Sequence, residues 1–407
     1  MHQHAHRRLR PVAGRTKTAL SAVGGGELLL DVSGITGVVE YQPDECTFTA
    51  RCGTRISEIE RMLARDGFML PFDPPFASRG ATVGGTVAAG LSGAGRFRYG
   101  GVRDFLLGVL FVDGDGHLVR GGARVVKNAA GFSLQHALLG SLGRLGVLIE
   151  LTFKVFPLPP ARVTLVAEFG ALDRALDALV RVRQSTFELD ALDLSPPGTL
   201  LVRLGGLAAA LEARANALTS FLSASSVTRL TGDDEERVWQ EARDFAWLQP
   251  PPSSPSHAAP SVTATPHAAT AHAATHVAGS HGMTSHADAA HAAPGGAPRA
   301  SRRDGEPVLV KVSLTPSRLA RLDDRLRHAS DAEDIGAIPR RYSAGGEVAW
   351  LGWPGALDAL DRLLRDAGLQ GLVLTGEGVD DPLIGVRPDH VFVDRLRQAL
   401  DPHGAFA

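Results

Sequence analysis

Cysteine is nearly missing from this chain: Cys46 and Cys52 are the only two in 407 residues. Two thiols cannot cage a zinc ion or an iron–sulfur cluster, each of which takes about four protein ligands. Their even spacing places both on one face of a single strand, where a disulfide is not expected. A reduced, cytoplasmic setting fits. An excess of one charge is missing too. Lys and Arg number 42 and Asp and Glu 44, leaving −2, so no global field draws the chain to nucleic acid or anionic lipid. No apolar run approaches the ~18 residues of a membrane span. The opening MHQHAHRRLRPVAG has no apolar stretch after its basic residues and does not read as a secretory signal.

The compact nucleotide motifs are also lacking. There is no GxxxxGK[ST] phosphate loop, and no GxGxxG sits at a strand-to-helix turn. The stretch TGEGVDD near Gly376 starts like one but lacks the third glycine and the following helix. Asp113–Gly116, DGDG, resembles a calcium loop only superficially, because the later ligands and the closing Glu are missing.

Glycine, by contrast, is plentiful, and in the first 150 residues it gathers in four stretches. These are AGRTKTA (13–19); ATVGGTVAAG (81–90) with its extension GLSGAGRFRYGGVRD; VVKNAAGFSL (125–134); and GSLGRLGVLIE (140–150). Glycine permits left-handed backbone angles, and small side chains let a ligand approach the peptide plane. Oriented N–H groups then form an anion-binding concavity. Each stretch alone is also compatible with a plain turn. Gly140, Gly143 and Gly146 suit helix-on-strand packing, Lys127–Asn128 a solvated turn, and Asp104 an ion pair with Arg103 or Arg98. Four such loops together suggest a long ligand lying across the domain, touched mainly by main chain.

The periodicity places these loops. TFTARC alternates, with Phe48, Ala50 and Cys52 facing one way and Thr47, Thr49 and Arg51 the other, as in a half-buried strand. TRISEIERMLARDG puts Ile56, Ile59, Met62 and Leu63 on one helical face, with Thr54 as the expected N-cap and Gly67 as the stop. LLGVLFVDGDGHLVRGG reads as a hairpin, and GVLIELTFKVFPLPP as a long strand stopped by prolines. From 161 to 249 the order is strand–helix–strand–strand–helix–strand, the ferredoxin-like sequence of elements. Residues 250–305 then collapse to Ala, Pro, Ser, Thr and His, with seven histidines. Such a segment cannot bury enough surface to offset its ordering entropy, and disorder is expected. Strands and helices resume over 306–375, completing a cap, and 376–407 form a C-terminal segment returning towards the first domain.

The run from PFDPPFASRGATVGGTVAAG to GVLIELTFKVFPLP resembles the FAD-binding domain of the vanillyl-alcohol-oxidase/PCMH flavoprotein superfamily, and more narrowly the FAD-binding subunits of glycolate oxidases. The resemblance implies an α+β fold: a PCMH-type two-subdomain FAD-binding domain over residues 1–160, with a ferredoxin-like α/β cap. Only ten residues precede Pro11, so the N-terminal unit looks truncated against the family. The resemblance assigns the pyrophosphate to Gly14, Arg15, Thr16, Lys17 and Thr18. Backbone donors come from Thr82, Gly84 and Gly85, with Ala88 and Gly90 on the flavin side. Arg98, Gly100 and Asp104 continue the cradle, Lys127, Asn128 and Gly131 form the third loop, and Val147 meets the adenine side by main chain. Where the family usually has KNVAGYDL this chain has KNAAGFSL, so Phe132 and Ser133 lack a hydroxyl and a carboxylate. Its tail ends GAFA where the family continues through FNPGR.

No histidine is followed by GDG, so the H-x-G-D-G-N metal-and-base motif of hydroxy-acid oxidising relatives is missing, and GRTKT holds no histidine for covalent flavin attachment. No catalytic residue or metal ligand is nominated. The resemblance implies a non-covalent FAD subunit of a glycolate (2-hydroxy-acid) oxidase or dehydrogenase complex. Hydride abstraction then falls mainly to a paralogous FAD-linked subunit, and an iron–sulfur subunit carries the electrons away. Nucleic acid is not an expected partner, and any membrane association is peripheral, through partners. The alternatives are a self-sufficient FAD-dependent 2-hydroxy-acid (lactate-type) dehydrogenase and a cofactor-free scaffold subunit.

Overall fold

The computed structural model describes residues 7–22, 26–122, 134–248, 307–333, 335–387 and 391–406. The composition-biased stretch 250–305 and the third glycine loop, with Lys127, Asn128, Gly131, Phe132 and Ser133, lie outside them.

The chain opens with two parallel strands, β1 (Arg8–Val12) and β2 (Glu27–Asp31). The Arg10 guanidinium clasps Glu27 across them at 2.9 and 3.1 Å. There follow β3 (Val38–Gln42), β4 (Thr47–Arg51), α1 (Ile56–Arg65), β5 (Phe68–Met69), α2 (Val83–Ala89), α3 (Arg96–Tyr99), α4 (Val102–Phe105), β6 (Leu106–Val112), β7 (Leu118–Gly122), α5 (Leu134–Ala137), β8 (Val147–Lys154) and β9 (Phe156–Pro157). Five of these strands form an antiparallel sheet in the order β3-β4-β8-β6-β7. Its apolar face stacks Phe48 on Phe153, with ring centroids 5.5 Å apart, and α1 packs Ile56, Ile59 and Leu63 into the same core.

Two local expectations are corrected. Thr47 and Thr49 do not form a solvated face: β4 is buried on both sides, and Thr49 Oγ1 lies 2.9 Å from Thr152 Oγ1 of β8. Thr54 does not cap α1. The cap position is Arg55, while the Thr54 hydroxyl accepts from Gly37 N–H at 2.9 Å and donates to Gly37 C=O at 3.2 Å, fastening β3 to the turn before the helix.

The second half of the chain builds β10 (Ala161–Glu168), α6 (Leu172–Arg183), β11 (Ala191–Ser195), β12 (Thr199–Gly206), α7 (Ala208–Leu222), β13 (Ser226–Leu230) and α8 (Gly232–Arg243). After residue 306 come β14 (Val308–Ser313), α9 (Leu319–Glu333), β15 (Arg340–Ser343), β16 (Val348–Trp353), α10 (Leu357–Asp366), β17 (Gln370–Val373), β18 (Leu383–Gly385) and α11 (Val391–Leu400). Their strands form one nine-stranded sheet, β13-β10-β12-β11-β15-β16-β14-β17-β18. The ferredoxin-like order therefore occurs twice, at 161–230 and 308–373, and the two units meet edge to edge. The seam is a single register pair, Leu194 opposite Tyr342. It is reinforced by Asp193 of β11, which accepts from Arg341 Nε and Ser343 Oγ, each at 2.7 Å, and from Ala344 N–H at 3.3 Å.

One face of the sheet buries Val310, Val312, Leu351 and Trp353 with α6, α7, α9 and α10 in the larger core. The other face turns Leu309, Val348 and Trp350 into the core of the five-stranded sheet. Helix α8 ties the two together. Glu235 accepts from Arg203 at 2.8 and 2.9 Å and from Thr164 Oγ1 at 2.8 Å, while at the far end Arg243 donates to Glu60 of α1 at 2.7 Å. Beyond α8, Leu248 packs so closely on Gly352 that a Cβ there would sit 2.4 Å from Leu248 Cδ2, and Gly352 pairs with Leu309 in the sheet. The C-terminal segment reaches back to β1, where Leu9 N–H donates to Ala405 C=O at 2.6 Å.

Candidate functional site

A groove runs between the first glycine loop, α2 and the turn before β8. It is lined by Pro11–Lys17, Leu20, Ser21, Val32, Cys52, Thr82, Gly84, Gly85, Ala88, Ala89, Ser141–Gly143, Gly146 and Leu148. Three glycine stretches that lie far apart in sequence thus converge on one concavity. Its floor, Gly84, Gly85, Ala88 and Ala89, carries no side chain beyond a methyl group. Gly14 is held hard against Gly80: a Cβ there would lie 2.3 Å from Gly80 C=O, so only glycine allows the first loop to close on the second. Gly90 ends α2 at φ +63°, and its missing side chain lets Gly140 approach. Gly140 N–H then donates to Val87 C=O at 2.9 Å and Leu142 N–H to Ala88 C=O at 2.8 Å.

The donors differ from the expected set. Gly84 N–H is engaged by Cys52 C=O at 2.8 Å and Gly85 N–H by Thr82 Oγ1 at 3.2 Å, so neither is free for a ligand. The reason is local: α2 starts against the end of β4, whose carbonyls take its first amides. Loop 14–17 is different. Among the described residues no acceptor meets the N–H of Gly14, Arg15, Thr16 or Lys17. Gly14 and Arg15 are exposed, but at part-buried Thr16 and buried Lys17 an unpaired amide calls for an acceptor.

Lys17 is the chemical centre of the groove. It is 7% exposed, and its ammonium donates only to Thr16 Oγ1 at 3.0 Å and lies 5.4 Å from the Phe76 ring centroid. Among the described residues no carboxylate pairs with it. Burial pushes its pKa down to about 8. A buried cation without an anion is costly, and a bound anion removes that cost.

The other expected residues fall elsewhere. Arg15 adopts φ +48° and turns its side chain out to Asp31 at 3.2 Å. Thr18 faces away from the groove, accepting from Gly376 N–H at 2.9 Å, so the TGEG stretch braces the first loop. Arg98 points to Glu188 and Asp190 at 3.5 and 3.6 Å. Asp104 caps its own helix, accepting from Gly101 N–H at 2.8 Å, and Gly100 makes room for that carboxylate. Val147 is buried opposite Val112 in the sheet, between Gly146 and Leu148, which line the groove. Gly90 shapes the floor without lining it. Sequence reading missed Pro11, Val32 and Cys52, and glycine density gave no signal for them.

The groove offers about 90 Å³, below the ~300–1,000 Å³ of whole-ligand sites, room for a short polar segment of a longer ligand. Free loop amides, an unpaired buried lysine and a floor without side chains fit a phosphate-bearing group.

The comparisons agree with this class. Residues 2–122 match the FAD binding domain family. The particular likeness is to glycolate oxidase subunit GlcE of Escherichia coli (strain K12), 43% identical over 161 residues, 40% of this chain and 42% of that protein. D-2-hydroxyglutarate dehydrogenase of Xanthomonas citri pv. viticola is 32% identical over 44% of this chain and 39% of its own length. D-lactate dehydrogenase of Anaerostipes hadrus is 30% identical over 40% and 34%. The chain thus matches about two fifths of these relatives' length. Among solved structures, an alkyldihydroxyacetonephosphate synthase superposes over 98% of this chain and 72% of its own, with a TM-score of 0.64 and 16% identity, a likeness of fold. No helix among the described residues is long and apolar enough to cross a membrane.

Proposed function

We propose that this chain is the FAD-binding subunit of a complex that oxidises glycolate, or a similar small 2-hydroxy acid, to the 2-oxo acid. The observation that carries this reading is Lys17, a buried cation without a carboxylate beside four free amides in a stretch that matches the FAD binding domain family. In this reading the amides of Gly14–Lys17 and the Lys17 ammonium hold the diphosphate. Gly84, Gly85 and Ala88 give it a close floor, and Gly146 and Leu148 border the adenine side. Thr18 and Gly90 hold the loops in shape. Arg98, Gly100 and Asp104 have local structural roles, whereas Lys127, Asn128 and Gly131 would add the remaining polar contacts. FAD held here would supply a two-electron redox group to the complex. The chain's own part is to orient that group and exclude water from the diphosphate.

Hydride abstraction itself is assigned to a paralogous flavoprotein subunit. The missing H-x-G-D-G-N motif supports this, as do matches to both kinds of glycolate oxidase subunit, GlcE and the GlcD of Bacillus subtilis (strain 168). An iron–sulfur subunit would take the electrons onward, because Cys46 and Cys52 cannot hold a cluster. The test is purification of the full chain alone and with these partners. Flavin absorbance in the isolated chain and glycolate turnover only in the complex are the expected results. A colourless chain overturns the cofactor assignment, and glycolate turnover by the chain alone overturns the division of labour.

A further inference from the structure

A second concavity, about 870 Å³, lies between α1, β5 and the first ferredoxin-like unit, and it shares no lining residue with the groove described above. One wall is apolar: Phe68, Met69, Leu158, Pro159 and Val163. The lining also carries arginines, and their pairing is uneven. Arg203 is clamped by both oxygens of Glu235. Arg243 meets Glu60 at 2.7 Å and Asp73 at 3.5 Å. Arg162 has neither kind of partner. Among the described residues its side chain makes one hydrogen bond, from Nη2 to Met69 Sδ at 2.9 Å, a weak acceptor, and its Nε is sealed from solvent with no partner there.

Arg162 is therefore a largely desolvated guanidinium facing a roomy cleft with its fork unfilled. Two of the nearby acids are committed elsewhere: Glu235 serves Arg203 and Thr164, and Asp73 faces Arg243. Asp190 meets Arg98 and Tyr99 through Oδ1, while its buried Oδ2 makes no hydrogen bond to Arg162 or to any other described residue. Glu212, Asp233 and Glu236 sit on the exposed rim, where solvent and salt screen them. A planar guanidinium without a partner suits a carboxylate, which it can hold bidentately. A phosphate's extra charge would meet the acids of the same lining. The volume lies in the range of whole-ligand sites, and the apolar wall asks for a hydrophobic body.

We propose that this cleft binds an organic monocarboxylate with an apolar body, its carboxylate on Arg162 and its body along Phe68, Met69 and Leu158. The inference is independent of the FAD reading.

The test uses the full chain and the probe 4-phenylbutyrate, titrated by calorimetry. Quenching of Trp239, which lines the cleft and is 3% exposed, gives a second readout. Saturable binding near one per chain is expected. It should weaken at least ~10-fold in Arg162→Met, survive in Arg162→Lys, and be blocked by Ala64→Trp, which adds an indole to the cleft lining from α1 and leaves Arg162 in the sequence. Should Arg162→Met fail to fold, the Ala64→Trp result decides. No saturable binding, equal binding by wild type and Arg162→Met, undiminished binding by Ala64→Trp, or equal affinity for 4-phenylbutylamine would each overturn the site. Acetate binding as tightly as 4-phenylbutyrate would overturn the apolar-body assignment.

Discussion

The ammonium of Lys17 lies 5.4 Å above the ring of Phe76, and Phe76 in turn packs on Phe245, centroid to centroid 4.9 Å. Phe245 then meets Trp350 of the nine-stranded sheet at 4.9 Å. The buried lysine of the glycine-lined groove is thus connected to the cap through a row of aromatic rings, and its ammonium rests on a ring face instead of an acid.

That arrangement predicts a pH effect with a definite sign. Lys17 has a folded pKa of about 8, below the usual lysine value of 10.5. Below pH ~8 both folded and unfolded chains carry its proton, and the full cost of burying the charge is present. Between about 8 and 10.5 the unfolded chain holds the proton and the folded one does not, so this group makes apoprotein stability rise with pH. A bound diphosphate favours the charged form, so FAD affinity should fall above pH 8. Lys17→Met should flatten both trends and weaken FAD binding ~10-fold or more, measured by flavin fluorescence during equilibrium dialysis.

Ala88 belongs to the groove floor and is only part-buried. Ala88→Trp should fill the groove while leaving the core intact. The expected product is a folded chain with near-normal melting temperature and no flavin absorbance. Normal flavin content would show that the cofactor lies elsewhere.

Asp193 holds the seam between the two ferredoxin-like units. Asp193→Ala would leave Arg341, already 7% exposed and with Nη2 lacking a partner, buried without its carboxylate. Loss of a buried partner of this kind costs about 3–5 kcal/mol. Chemical denaturation should show that loss, and hydrogen exchange should show early opening at β11 and β15.

Arg243 fastens α8 to α1 through Glu60 and Asp73. Arg243→Met should destabilise by ~3 kcal/mol, because it leaves two largely buried acids facing each other. Glu60 is already pushed up to about 7 by burial, despite the opposing pull of Arg243. Without the arginine it should stay protonated to higher pH, which carboxylate infrared bands would report.

Much of this architecture is legible in the sequence. The alternation at Phe48 and Ala50, the helical spacing of Ile56, Ile59 and Leu63, and the element order over 161–230 follow from local patterns, whereas its repetition over 308–373 hinges on the four-residue strand Arg340–Ser343, too short to show a period. The convergence of the first, second and fourth glycine loops follows from the family resemblance. What local patterns could not give are partners supplied from a distance. Thr54 looked like a cap, but Gly37 claims its hydroxyl. Gly84 looked like a donor, but the strand end at Cys52 takes its amide. Thr18 looked like a phosphate ligand, yet Gly376 lies against it from the opposite end of the chain. Nor does any local signal show that Leu194 will face Tyr342 and fuse two units into one sheet.

Leu248 and Leu309 both meet Gly352, so the chain leaves after Leu248 and rejoins the sheet almost where it left. An excursion whose two feet share one footprint places no demand on its own extent, since closure entropy grows only slowly with contour. Closure alone therefore leaves the length of chain joining Leu248 to β14 free to change, and an insertion there, such as a reporter or affinity handle, meets little entropic penalty.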